Sequence, residues 1–225
     1  MEKKTVFTFL YILLFPALIL VLSGDLLWIA GWVFCIWFIV LCFSTILSLY
    51  RKNPALLEER YKKPGTGNQE GWDRYVVYGL IIGFTLWIVI MPLDAKRFGW
   101  SPAFPVWLNL LGGAGLVGSF ILFFRSFADN SFLSPLVRIQ NDRKQQVIST
   151  GVYRFVRHPM YLGAILMMIG APLLLSSSFG VLVGLVLMVL LMARIIGEEK
   201  MLAKELEGYR EYTQNVHYRL IPFIW

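Results

Sequence analysis

The chain has 225 residues, a formal net charge of +7, and a composition that is 57% hydrophobic but only 16% charged. Soluble domains carry about 25% charged residues, so this chain has too few polar groups to cover a water-exposed surface. Disordered chains, disulfide-rich secreted scaffolds and ordinary soluble domains are therefore excluded, and an integral membrane protein is predicted.

Six apolar stretches approach the roughly 20 residues that a bilayer-spanning helix needs. They are Thr5–Ser23, Leu26–Tyr50, Tyr75–Leu93, Pro102–Phe124, Met160–Leu175 and Phe179–Ile196. The last two are shorter and are joined by Ser176–Ser178, which predicts a tight helical hairpin. The predicted fold class is an all-α polytopic membrane protein with about six transmembrane helices and cytoplasmic interfacial helices.

The basic residues are distributed very unevenly between the two sides that six spans would define. All but two of the 21 Lys and Arg residues fall on the side of both termini and both long loops, and the exceptions are Lys96 and Arg97. Because basic residues collect on the cytoplasmic side of membrane proteins, both termini and both long loops are predicted to be cytoplasmic. Topology and anionic lipid headgroups then explain the net charge, and no nucleic-acid partner is expected.

The first long loop contains an amphipathic segment, Asn53–Lys63, with the sequence NPALLEERYKK. Leu56, Leu57 and Tyr61 can face one way while the charged side chains face the other. This pattern predicts an interfacial helix that lies on the membrane surface.

Several patterns inside the spans are better explained by packing than by chemistry. Gly113–Gly118 matches GxGxxG, but it lies in the middle of the fourth span and lacks the preceding strand of a dinucleotide site, so it predicts close helix packing. Cys35 and Cys42 lie seven residues apart in one apolar run and are also interpreted as packing residues. The chain has only two histidines, and no metal site is predicted.

The most informative segment is Gly151–Gly163, which reads GVYRFVRHPMYLG. Pro159 suits the first turn of a helix, so the fifth span is predicted to begin there. Arg157 and His158 then lie just before the helix, where unpaired N–H groups and the positive end of the helix dipole attract anions. Tyr161 follows His158 by three residues and can share its helix face.

The sixth span returns to the same side and ends near Glu198 and Glu199. Adjacent carboxylates at the end of an apolar span are costly unless they are paired or solvated, and Arg194 is placed to pair with Glu198. Residues 202–212 are interpreted as an amphipathic helix, and Tyr218–Trp225 as an apolar tail that returns to the membrane surface. Such a set of groups suits a zwitterionic cofactor with an amino-acid end and a ring.

The three segments GVYRFVRHPMYLG, EEKMLAKELEGYREY and RLIPFIW together resemble the isoprenylcysteine carboxyl methyltransferase and phospholipid methyltransferase group. The resemblance covers about the last third of the chain. It implies S-adenosylmethionine as methyl donor and a methyl acceptor that enters from the lipid phase. The implied cofactor-binding residues are Arg157, His158, Tyr161, Gly163, Glu198, Glu199, Tyr209 and Tyr212.

The same resemblance implies catalytic roles for Glu198, Glu199 and Arg219. A carboxylate acceptor needs no base, whereas an amine acceptor needs one, and Glu198 or Glu199 are the candidates. Arg219 or Arg194 are candidates to steer an anionic acceptor. The expected organisation is residues 1–128, with helices 1–4 and the interfacial loop, followed by residues 129–225, a methyltransferase-like region with the hairpin and the cofactor pocket.

Two alternative functions stay open at this stage. The ending VHYRLIPFIW also resembles sterol reductases, which use NADPH, and a non-catalytic lipid-binding membrane protein is the third possibility. The acceptor is also open between the carboxylate of an isoprenylcysteine-like or other isoprenoid compound, a phospholipid amine and a small hydrophobic thiol. Neither the oligomeric state nor the separate roles of the site residues follow from the sequence.

Overall fold

The computed structural model describes residues 3–225, except for the side chains of residues 3–7 and of Tyr11. The regular structure in this part of the chain is entirely helical. Its α-helices are α1 (Lys3–Ser23), α2 (Ile29–Lys52), α3 (Pro54–Glu59), α4 (Gly71–Pro92), α5 (Val106–Asp129), α6 (Pro159–Leu175), α7 (Ser178–Glu205) and α8 (Tyr209–Asn215). Short irregular helical turns cover Leu93–Arg97, Asn141–Arg143 and Gly151–Arg154.

Four segments of the described chain are long and apolar enough to cross a membrane. They are Ile29–Lys52, Gly71–Arg97, Val106–Asp129 and Ser178–Glu205, and two shorter apolar helices cover Thr8–Ser23 and Pro159–Leu175. Each of the six predicted spans therefore coincides with one helix. The all-α polytopic membrane fold is confirmed, while the count of six crossings stays a prediction.

The outward faces of these helices are themselves apolar. Side chains such as Val21, Ile82, Leu110 and Val186 are between 62% and 69% exposed. An apolar surface of this extent is unfavourable in water and suits contact with lipid.

The predicted hairpin of α6 and α7 is confirmed, and local chemistry explains both of its ends. Pro159 occupies the first turn of α6, as expected. Ser176 adopts the left-handed region at φ 62°, which ends α6 sharply. The Ser177 hydroxyl then accepts a hydrogen bond from the Gly180 N–H at 2.9 Å and so caps α7.

Small residues bring α5 and α6 into direct backbone contact. A Cβ atom added at Gly112 would lie 2.4 Å from the Leu174 nitrogen and 2.5 Å from the Gly170 oxygen, and one added at Gly115 would lie 3.5 Å from a carbonyl of α6. The packing interpretation of the glycine pattern is therefore confirmed for Gly115 and Gly118, whereas a Cβ atom at Gly113 would have nothing within 4 Å. Cys35 is fully buried in the core, also as expected of a packing residue.

Two predicted helices differ from the structure in their extent. The segment 53–63 is helical only over Pro54–Glu59, and Leu56 and Leu57 are buried within the protein. The predicted helix over residues 202–212 is wrong as a single element, because α7 ends at Glu205 and α8 starts at Tyr209. Gly208 separates them at φ 78°, a conformation that glycine adopts without steric cost.

Candidate active site

The sequence-predicted site residues meet at the end of the bundle that carries residues 53–70 and 130–158. The C-terminal tail lies beside the start of α6, because the Arg157 N–H donates to the Tyr218 carbonyl and the His158 N–H to the Arg219 carbonyl, each at 2.9 Å. The tail also folds back on itself, with the Trp225 carbonyl accepting from the Leu220 N–H at 3.0 Å. These backbone bonds hold the tail against the end of the hairpin.

Glu199 lies at the centre of a buried ion cluster. Arg157 Nε donates to Glu199 Oε1 at 2.6 Å, and Arg219 Nε donates to Oε2 at 2.6 Å. His158 Nε2 lies 3.2 Å from the same Oε1. Arg157 further donates from Nη1 to two tail carbonyls at 2.6 and 2.8 Å. Both oxygens of Glu199 are therefore engaged in joining α7, the start of α6 and the tail.

Glu198 has a different environment although it is the next residue. Its Oε2 accepts a hydrogen bond from the Tyr161 hydroxyl at 2.7 Å, and its Oε1 has no partner among the described residues. The Tyr161 ring lies 5.6 Å from the His158 ring between centroids, so the predicted shared face is confirmed. Glu198 is consequently the member of the glutamate pair with a free carboxylate oxygen.

A cavity extends from Glu198 between α6, α7, α8 and the segment 130–148. Its volume is about 90 Å³. Small-molecule sites usually measure about 300–1,000 Å³, so the cavity is narrow in this structure. Arg157, His158, Tyr161, Glu198, Tyr209 and Tyr212 all line it.

The two tyrosines of α8 face this cavity with different hydrogen bonding. The Tyr212 hydroxyl donates to the Tyr153 carbonyl at 2.7 Å. The Tyr209 hydroxyl is buried and has no hydrogen-bond partner among the described residues. Burial raises the pKa of Tyr209, so its hydroxyl stays protonated at neutral pH. An unpartnered buried donor that faces a cavity is a group available to a ligand.

The predicted pairing of Arg194 with Glu198 is wrong. Arg194 Nε donates to Asp73 Oδ1 at 2.8 Å, and Arg194 Nη2 donates to the Pro135 carbonyl at 2.7 Å. Asp73, which is completely buried, also accepts from the Val137 N–H at 2.8 Å. Arg194 therefore ties α7 to the start of α4 and to the long loop, because the rotation of α7 directs its side chain towards α4.

The structure does not bring Gly163 to the cavity. The Ser119 hydroxyl donates to the Gly163 carbonyl at 2.7 Å, and a Cβ atom at Gly163 would lie 3.2 Å from the Leu122 Cβ. Gly163 thus lies in the interface of α5 and α6. Of the remaining predicted residues, Arg219 reaches the site through Glu199 and also stacks over the Trp225 ring at 5.1 Å.

A second buried pair beside the cavity was missed by the sequence analysis. Arg138 Nε and Nη2 donate to the two oxygens of Glu59 at 2.9 Å each, and Arg138 lines the cavity. Burial opposes ionisation of Glu59, but hydrogen bonds from Arg138, Lys62 and Ser134 outweigh it and lower its pKa. The pair fixes the segment 130–148 to α3. The acidic residues of NPALLEER could have pointed to this ion pair, but nothing in the sequence identifies Arg138 as the partner.

Comparison with known proteins supports the resemblance that the C-terminal motifs indicated. Residues 108–208 match the family described as phospholipid methyltransferase. Two rice proteins, from Oryza sativa subsp. indica and subsp. japonica, are each named "Probable protein-S-isoprenylcysteine O-methyltransferase". Both are 30% identical to this chain over 99 residues, which cover 43% of this chain and 51% of the relative. The chain thus matches about half the length of these curated relatives.

The structural comparison extends over nearly the whole chain. The solved structure of the eukaryotic intramembrane Ras methyltransferase, isoprenylcysteine carboxyl methyltransferase, matches with a TM-score of 0.54 and 20% identity. The match covers 98% of this chain and 83% of the other. At this level of identity the likeness shows a shared fold. The matches to the phospholipid methyltransferase family and to the rice relatives confirm the resemblance of the C-terminal motifs to the isoprenylcysteine carboxyl methyltransferase and phospholipid methyltransferase group.

Proposed function

We propose that this chain is an integral membrane methyltransferase that transfers a methyl group from S-adenosylmethionine to a lipid-like acceptor. The observation that carries the proposal is the cavity between α6, α7 and α8, where a free oxygen of Glu198 and the unpartnered hydroxyl of Tyr209 are available to a ligand. This cavity is built largely from the region that matches methyltransferases.

The cavity residues fit a zwitterionic nucleoside donor. The free oxygen of Glu198 can accept a hydrogen bond from an ammonium group or attract a sulfonium, and the Tyr209 hydroxyl can donate to a polar atom of the ligand. The side chains of Met201, Leu202 and Val147 give the apolar wall that a ring requires. When bound, S-adenosylmethionine supplies an electrophilic methyl group.

The adjacent glutamates have separate roles in this proposal. Glu199 is a positioning residue, since both of its oxygens are engaged by Arg157, His158 and Arg219. Glu198 contacts the donor, and it is the better placed of the two to accept a proton if the acceptor is an amine. The protein otherwise holds donor and acceptor in line and excludes water, which is the main requirement of methyl transfer.

We place the site and both termini on the cytoplasmic side of the membrane. The support for this orientation is the distribution of Lys and Arg, of which only Lys96 and Arg97 lie at the opposite end of the bundle. In the same proposal, residues 129–225 carry the donor cavity and residues 1–128 contribute helices that face the acceptor.

The test is isothermal titration of the detergent-purified protein with S-adenosylhomocysteine, the product of the donor, with NADPH as the comparison. We expect saturable binding of S-adenosylhomocysteine alone. Tyr209→Phe should weaken it by up to about tenfold, the value of one hydrogen bond, whereas the exposed control Tyr78→Phe should not change it. Binding of NADPH alone, or of neither compound to a folded protein, would overturn the proposal.

A further inference from the structure

A second cavity lies between the helices, and its lining shares no residue with that of the donor cavity. Its volume is about 340 Å³. It is therefore roomier than the donor cavity. Most of its wall is apolar, with side chains from α2, α4, α5 and α6 that include Phe38, Leu41, Phe84, Phe123, Phe127 and Met167.

Two polar side chains in this apolar wall carry buried atoms that lack hydrogen-bond partners. They are Arg60, through Nη1, and Thr45, through Oγ1. Most buried polar atoms in proteins are hydrogen-bonded, so two exceptions facing one cavity need an explanation. A structural role does not supply it, because neither atom joins two parts of the described chain.

Arg60 differs from the buried arginines near the site, since its side chain is half-buried and its buried Nη1 has no hydrogen-bond partner among the described residues. Arg138, Arg157 and Arg194 each pair with a carboxylate at 2.9 Å or less. Arg60 has no carboxylate partner among the described residues, and its guanidinium lies over the Phe127 ring, 5.2 Å from the centroid. Burial, together with repulsion from Arg194, lowers the pKa of Arg60 to about 10, which is still a cation at neutral pH.

Arg60 lies near Tyr161, a residue of the donor cavity. This residue lines the donor cavity and donates to Glu198. It is also close enough to Arg60 to interact with it electrostatically. A molecule with its apolar part among the phenylalanines and its polar end at Arg60 would therefore have that end near Tyr161, a residue of the donor cavity.

Resting on the proposed function, we infer that this second cavity binds the methyl acceptor and that Arg60 recognises an anionic group at the polar end of an apolar chain. The apolar wall suits the chain, and a guanidinium binds a carboxylate or a phosphate through paired hydrogen bonds. The unpaired cation would repel an acceptor whose polar end is only an amine. Arg60 lies in α3's C-terminal turn, outside the region that matches the methyltransferase family.

The experiment measures equilibrium binding of radiolabelled oleate to the detergent-purified protein. Unlabelled oleate, oleyl alcohol, oleylamine and phosphatidylethanolamine serve as competitors. We expect competition by oleate and, if the anionic group is a lipid phosphate, also by phosphatidylethanolamine. The alcohol and the amine should compete at least tenfold less well. Equal competition by oleyl alcohol and oleate would overturn the inference, since the cavity would then recognise only the chain.

Three variants separate recognition from folding. Arg60→Gln should reduce oleate affinity at least tenfold, Arg60→Lys should recover most of it, and the exposed control Arg51→Gln should leave it unchanged. Because Arg60 has no carboxylate partner, Arg60→Gln should leave the melting temperature unchanged or higher. Unchanged oleate affinity in a folded Arg60→Gln protein would refute the role of Arg60.

A parallel titration with S-adenosylhomocysteine distinguishes failure of the acceptor inference from failure of the methyltransferase proposal. If the wild type binds S-adenosylhomocysteine but Arg60→Gln does not alter oleate binding, the acceptor inference fails and the methyltransferase proposal stands. If the folded wild type does not bind S-adenosylhomocysteine, the methyltransferase proposal fails, whether or not the protein binds oleate.

Discussion

Separate substitution of Glu198 and of Glu199 by glutamine tests whether the two adjacent carboxylates have the different roles that their contacts indicate. Glu199→Gln removes the charge that holds Arg157 and Arg219 together, whereas Glu198→Gln alters a side chain bonded only to the Tyr161 hydroxyl. The two changes are chemically identical and lie on the same helix. Differences between the variants therefore report the environments of the two carboxylates.

The expected decrease in unfolding free energy for Glu199→Gln follows from how exposed the arginines that pair with Glu199 are. Removing one partner of a buried ion pair costs about 3–5 kcal/mol, and the Arg157 side chain is only 6% exposed. The Arg219 side chain is 34% exposed, so its pairing adds at most about 1 kcal/mol. Glutamine keeps one acceptor oxygen for Arg157. We therefore expect a loss of about 3 kcal/mol, or roughly 6–12 °C in melting temperature for a chain of this size.

The decrease in unfolding free energy for Glu198→Gln should be much smaller. The glutamine carbonyl can still accept the hydrogen bond from Tyr161, so the change in unfolding free energy should stay within about 1 kcal/mol, or about 4 °C. Binding of S-adenosylhomocysteine should nevertheless weaken, because the free oxygen of Glu198 loses its charge. A folded protein with weakened ligand binding is therefore expected of Glu198→Gln, and a destabilised protein of Glu199→Gln.

The assay is differential scanning fluorimetry in one detergent at one scan rate, since membrane proteins often unfold irreversibly. Titration with S-adenosylhomocysteine is carried out below the lowest melting temperature. A Glu199→Gln melting temperature equal to that of the wild type would refute the reasoning from the ion cluster. Equal destabilisation by both variants would refute the distinction between the two glutamates.

Three further predictions concern packing, pH and the tail. Gly112→Ala should lower the melting temperature because its Cβ would meet the backbone of α6 at 2.4 Å. The control Gly113→Ala, whose Cβ would have nothing within 4 Å, should leave it unchanged. Equal melting temperatures of the two variants would contradict the packing argument. The folded-state pKa of Glu59 is lowered, so its stabilisation is complete above the ordinary carboxyl pKa of about 4.3 and is lost as pH falls through the folded value. The melting-temperature difference between wild type and Glu59→Gln should then shrink from about pH 7 to below about pH 4, and a constant difference would exclude this ionisation. Deletion of Arg219–Trp225 should abolish S-adenosylhomocysteine binding by titration, because the Arg219 side chain and the backbone bond from the His158 N–H to the Arg219 carbonyl are lost together. Retained binding would show that the tail does not organise the site.

Several parts of the site were predictable from sequence because they depend on neighbours along the chain. The hairpin from Pro159 to the glutamate pair follows from helix length, a proline in the first turn and a short polar turn. It brings the glutamate pair back beside the start of α6, where Glu199 contacts Arg157 and His158 and Glu198 accepts a hydrogen bond from Tyr161.

Other contacts depended on how each helix is rotated about its axis. Arg194 and Glu198 have the spacing of a helical pair, yet Arg194 turns to Asp73, 121 residues away in the chain. The distinct surroundings of Glu198 and Glu199 arise in the same way, since consecutive residues point in different directions around a helix.

Composition, apolar run length and local spacing thus determined by themselves that this is an all-α membrane protein with a helical hairpin and a polar cluster at its end. Only the tertiary structure decided which carboxylate is bound by the arginines, that Arg60 has no carboxylate partner among the described residues, and that Arg60 lines a second, apolar cavity. The reason is physical: helix formation and burial in lipid depend on the local chain, whereas charge pairing and cavity shape depend on the packing of segments that are distant in sequence.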